Sequence, residues 1–377
     1  MKAKVLTGLL AVSVLAACSN TDGSKTAQTA PSVQPPASAA PSPSATPKTY
    51  EKVTVGDFTQ EKVITKEYIV PSTYKKFFAA SEAGPLVPGL QQGIIPQGMT
   101  YLKEKNWLII SYYRDDKQPS LVSVTDLNTG KLIKTLKLYS TDSTPYTGHA
   151  GGVTVSGKHL WVGSDSKVYQ IDLADLEKAQ DGGKLVFKNI FPTEAKASYV
   201  VYADGILWVG EYADGTDYPT SETHYLKNSE NKTNKAWAAG YKLDSATDSI
   251  AQTQQKGSDG KLIPDVILST PDKIQGMELF QGEFVLSQSG GRSNDSLLIT
   301  YPNPLKDKPF TEVTIGSVQV PVHMFDGKNK KEAIIVPPMT EGIVARDKQL
   351  GILFESGAEK YRNGSFPLDE VYWFSKQ

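Results

Sequence analysis

Gln97, His149, Ser198, Gln275 and Glu341 each stand at, or within two residues of, the start of a short apolar run. An amide, an imidazole and a carboxyl gathered in one place offer two kinds of chemistry. One is hydrogen-bonded recognition of a polar ligand; the other is proton transfer with Glu341 and His149 as acid and base. A second polar set follows the next apolar run of each segment. It contains Tyr112 to Asp116, Asp165, Glu211, Tyr212, Asp214, Gln288, Arg292, Asn294, Asp295, Glu355, Lys360, Tyr361 and Arg362. The candidate ligand-binding residues drawn from both sets are Gln97, His149, Gln275, Glu341, Arg114, Glu211, Arg292 and Glu355. The competing reading is structural: inner amides and carboxyls bond backbone groups around a channel, a lone histidine packs, and acidic loops are solvated.

Other reaction signatures are sparse. The four histidines, His149, His159, His224 and His323, show no HExxH-type spacing, so a histidine-built zinc site is not expected. Ca2+ held by Glu341 with amide and carbonyl oxygens is the cation the donor set would suit; no other cofactor is indicated. No nucleophile elbow, phosphate-binding loop or dinucleotide fingerprint occurs. A formal charge of −1, with no basic cluster interleaved with aromatics, points away from nucleic acid.

What would bring the two sets together is a repeat. Gln97-Gly98-Met99, Gly151-Gly152-Val153, Ser198-Tyr199-Val200, Gln275-Gly276-Met277 and Glu341-Gly342-Ile343 each lead into strand, tight turn, strand and polar loop. A fixed order of short strands predicts an all-β fold, a β-propeller in which each unit is one blade. Intervals of 54, 47, 77 and 66 residues between segment starts favour five blades, with six the alternative if the wide gaps hide strands. The last unit lacks a fourth strand, and the alternation in residues 62–70 is the expected donor, closing the ring from the N-terminal side. Loops entering the inner strands and loops after the second strands would then open on one funnel face.

The first residues speak to location. Lys2 and Lys4 precede an apolar run, and residues 1–17 have the form of a secretory signal. The run ends in Leu15-Ala16-Ala17-Cys18, so Cys18 is the expected lipidation site of a bacterial lipoprotein. It is the only cysteine, which excludes an intramolecular disulfide. Residues 18–48 are rich in Ser, Thr, Ala and Pro and read as a disordered tether, leaving 49–377 as the propeller domain.

Several phrases resemble a group of secreted bacterial β-propeller proteins without an assigned activity. They are Pro96-Gln97-Gly98-Met99, Gly148-His149-Ala150-Gly151-Gly152, Ile274-Gln275-Gly276-Met277, Gly291-Arg292-Ser293, and Glu341-Gly342-Ile343 with Phe354-Glu355-Ser356. The resemblance covers about residues 90–374 and implies the fold and an extracytoplasmic setting. In a weaker likeness, Gln97-Gly98-Met99 and residues 126–131 resemble glutaminyl cyclases, five-bladed propellers with acidic residues at the axis. That likeness is confined largely to the first unit and implies an axial acid and base, for which Glu341 is the candidate.

The expectation is therefore a monomeric, lipid-anchored extracytoplasmic propeller that binds a small molecule, peptide or protein on its funnel face. A hydrolase or glutaminyl-cyclase-like enzyme and a structural cell-envelope protein are the alternatives.

Overall fold

The computed structural model describes residues 50–376; the signal, Cys18 and tether expectations lie outside them. The described chain is all-β in a β-propeller arrangement. The innermost strands are Ile94–Leu102, Gly152–Val155, Tyr199–Ala203, Ile274–Phe280 and Thr340–Arg346. Each starts a sheet of four or more strands. The strands are apolar along their length rather than alternating, because each sheet is covered on both faces by its neighbours. Ile109, Val122 and Leu136 pack against Val153, Leu160 and Val162 between the first and second sheets. Ile110 and Tyr112 pack against Val344, Leu353 and Trp373 between the first and last.

Two local devices set the geometry at the axis. Inner strands approach one another so closely that a Cβ on Gly98 would lie 2.4 Å from the Val153 nitrogen, and one on Gly342 2.6 Å from the Met99 nitrogen. Only glycine fits there. Two residues further on, side chains stitch adjacent strands. Thr100 Oγ1 accepts from Val155 N (3.2 Å), Thr154 Oγ1 from Tyr202 N (3.0 Å), and Glu278 Oε2 from Ala345 N (3.2 Å).

One expectation about strands needs correction, and two further pairings depart from simple blade order. Residues 62–70 form no strand; the partner of Glu370–Ser375 is Ser81–Leu86. Residues 62–64 are instead pinned to Asp369, whose carboxylate accepts from Val63 N, Ile64 N and Lys62 Nζ at 2.7–2.8 Å. Ile69 is 95% exposed. Ser81–Leu86 carries Gly84 and Pro85 and few β-formers, so it does not read as a strand, yet an outer edge with a register shift tolerates both residues. Secondly, Lys184–Val186 pairs in parallel with Lys131–Thr141 of the first sheet, and Asn189–Pro192 takes the outer position of the second. Thirdly, within residues 302–329, Thr311–Ile315 and Val318–Met324 form a hairpin that extends the third sheet.

Candidate functional site

A cavity of about 710 Å3 opens where the starts of the inner strands and the loops after the second strands converge. All five sheets contribute, with Gln97 and Tyr113 from the first, His149 and Asp165 from the second, and Ser198 and Tyr212 from the third. Gln275 and Arg292 come from the fourth, and Glu341, Glu355 and Tyr361 from the last. Six of the eight candidate ligand-binding residues line it: Gln97, His149, Gln275, Arg292, Glu341 and Glu355.

The other two lie elsewhere. Arg114 pairs with the adjacent Asp116, its Nε 2.9 Å and its Nη2 2.5 Å from the carboxylate oxygens. Glu211 is fully buried and accepts from His224 Nδ1 (2.6 Å) and Trp237 N (3.0 Å). It anchors the insertion of residues 211–237, whose Tyr212, Asp214 and Tyr218 reach the cavity.

At the centre of the site the carboxyl groups of Glu341 and Glu355 lie close enough for each to shift the other's pKa. Glu341 is 2% exposed. Burial, then the neighbouring carboxyl, pushes Glu341 well above the usual carboxylate range. Burial pushes Glu355 up to about 7. Both shifts favour retention of a proton by the pair. Each carboxyl has an amide companion: Gln275 Nε2 donates to Glu341 Oε1 (3.0 Å) and Gln97 Nε2 to Glu355 Oε2 (3.2 Å).

The Gln97 amide also fixes the state of His149. Gln97 Nε2 donates to Pro96 O at 2.8 Å, so Oε1 faces His149 Nε2 at 2.7 Å and that nitrogen must carry the hydrogen. Nδ1 is left as an acceptor without a hydrogen-bond partner among the described residues. Burial lowers the imidazole pKa, favouring this neutral form. The ring stacks on Tyr113 (centroids 4.2 Å apart), whose hydroxyl meets that of Tyr361 at 3.0 Å. Arg292 lies over the Tyr361 ring at 4.7 Å.

The arrangement narrows the chemistry. Among the described residues no three His, Cys, Asp or Glu side chains are grouped to hold a metal, so the Ca2+ expectation gains no donor set beyond Glu341 and its neighbours. Sequence reasoning missed Ser166, Lys196, Ala197, Tyr218 and Met339. Ser166, Ala197 and Met339 have φ of +58°, +59° and +67°, conformations set by the loops rather than announced by residue type. Ala197 and Met339 stand within two residues of Ser198 and Glu341, which was the available signal.

No protein-family model matches this chain, nor does any curated protein sequence. Among solved structures, the chain is similar to a GH43_1 enzyme from Xanthomonas citri, with 10% identity over 80% of this chain and 92% of that one, at a TM-score of 0.40. It is similar to the glutaminyl cyclase of Myxococcus xanthus at 11% identity, covering 79% and 97% with a TM-score of 0.35. Hydrazine synthase of Kuenenia stuttgartiensis matches at 10% identity and a TM-score of 0.33, and the chain spans 56% of its length. None of these values transfers an activity.

Proposed function

We propose that this chain is a lipid-anchored, extracytoplasmic propeller of five blades that binds a small polar molecule or a peptide end in its axial cavity. The observation that carries the reading is the convergence of polar side chains from all five sheets on one cavity of about 710 Å3, a volume typical of small-molecule sites. The count of five draws support from the two wide intervals of the repeat. They hold the insertion of residues 211–237 and the hairpin Thr311–Ile315/Val318–Met324, and the hairpin joins the third sheet. The anchor rests on Leu15-Ala16-Ala17-Cys18 alone. Among the described residues no helix is long and apolar enough to cross a membrane.

Binding is tested by a thermal-shift screen of small polar compounds on the wild type and on Gln97→Ala and Gln275→Ala. A hit whose stabilisation is lost in both variants supports the site; hits indifferent to both would move it elsewhere. Cys18→Ala should abolish incorporation of a labelled lipid precursor, and continued labelling would remove the anchor.

A second reading, an enzyme, is favoured by one feature: a His149 with an open Nδ1 shares the cavity wall with two neighbouring carboxyls whose pKa values burial raises. Turnover of any peptide or lactone, lost in Glu341→Gln and in His149→Ala, would establish it.

A further inference from the structure

On the reading that the axial cavity is the binding site, the groups left without partners there define the ligand more narrowly. At the mouth, the Arg292 guanidinium makes no close ion pair and no hydrogen bond among the described residues, and its charge acts on Glu355 from a distance. It is exposed, with its guanidinium carbon over the Tyr361 ring at 4.7 Å from the centroid. A planar fork held this way and left open matches a carboxylate.

Deeper in, the open valences have the opposite sense. Gln275 spends its Nε2 on Glu341, leaving its carbonyl oxygen open among the described residues, and His149 Nδ1 is an open acceptor. Between them lie the Glu341 and Glu355 carboxyls, tied to Gln275 and Gln97 by their amide hydrogen bonds, and burial with their mutual proximity favours a proton on the pair. An N–H-rich cation would meet several acceptors there and take the place of that proton. The remaining charges are mixed. Asp165 and Lys196 line the wall, and Asp214 is neutralised by Lys273 at 3.1 Å, so neither a pure anion nor a multiply charged cation is favoured.

We infer that the ligand is a zwitterion whose ammonium group sits against Glu341, Glu355, Gln275 and His149 and whose carboxylate sits on Arg292. The cavity is several times larger than one amino acid, which makes a short peptide the fitting class. When it binds, the ammonium nitrogen donates to the pair, the shared proton passes to the buffer, and no covalent bond changes.

Trialanine tests this by titration calorimetry near pH 7 in two buffers of different ionisation enthalpy, beside N-acetyl-trialanine, trialanine amide and maltotriose. The expected result is binding of trialanine with a heat that depends on the buffer, as proton release requires, and affinities roughly tenfold or more weaker for both blocked forms. Arg292→Ala should erase the preference for carboxylate over amide while keeping that for amine over acetamide. Blocked forms that bind as tightly as trialanine would overturn the zwitterion and leave the cavity reading intact. Binding of maltotriose with no binding of trialanine would do the same. Failure of all four to bind would count against both readings.

Discussion

Two buried glutamates flank the same face of this propeller and have opposite surroundings. Glu211, at the end of the second strand of the third sheet, spends its carboxylate on its own chain. It accepts from His224 Nδ1, Trp237 N and Lys196 N, and His224 lies flat on Trp237 with ring centroids 3.8 Å apart. Glu341, at the start of the innermost strand of the last sheet, meets a second carboxyl and one amide, and otherwise faces a cavity. Burial alone therefore does not mark a functional carboxyl. What separates the two is whether the chain itself satisfies the group or leaves it facing an open cavity.

The sharpest break of the comparison is Glu211→Ala. It strips a buried histidine and two backbone N–H groups of their acceptor, and should lower stability by roughly 3–5 kcal/mol in urea denaturation. A loss under about 1 kcal/mol would show that the insertion is not anchored there.

Glu278 lies between the two cases. It accepts from Ala345 N and Leu279 N, yet burial raises its pKa from 4.5 to about 8. Between those values the folded state binds the proton that the unfolded state has released, so stability should fall as pH rises from about 4.5 to 8. The decline attributable to this group is on the order of 5 kcal/mol. Glu278→Gln, which keeps an acceptor oxygen, should flatten that part of the profile in denaturations at pH 5 and 8.5. An unchanged slope would locate the dependence elsewhere.

The closing strand gives a contrast of the same kind. Leu86 is 3% exposed, and Leu86→Asp should cost about 2–3 kcal/mol by burying a charge. Ile69→Asp, at a side chain 95% exposed, should change stability by less than about 0.5 kcal/mol. Equal effects in thermal melts would reinstate residues 62–70 as structural in the sense the sequence suggested.

That misreading shows what sequence can carry. The Gly-apolar starts are legible because close approach at the axis forbids a Cβ, which leaves a residue-type signature at Gly98 and Gly342. Turns are legible for a similar reason: Asp204-Gly205 and Gln281-Gly282 take φ of +50°, +79°, +54° and +78°, as tight hairpins require. Ser81–Leu86 is not legible, because its position is dictated by the unpaired edge of Glu370–Ser375 rather than by its own propensity. At the site, Gln97, Gln275 and Glu341 follow from the repeat. Nothing in residue type separates Glu211 from Glu355: both follow a second strand, and only the third dimension brings His224 to one and Glu341 to the other.

The central claim is that the Glu341–Glu355 pair is held for a ligand rather than for the fold. Equilibrium denaturation of the Glu341→Gln/Glu355→Gln double variant at pH 8, beside Glu211→Gln, tests it without knowledge of the ligand. Replacing two proton-sharing carboxyls by neutral amides removes a desolvated charge and leaves both hydrogen-bonding companions a partner. The double variant should therefore match or exceed wild-type stability to within about 1 kcal/mol, while Glu211→Gln loses roughly 2 kcal/mol or more. A double variant that unfolds as readily as Glu211→Gln would contradict the account and make the pair part of the scaffold.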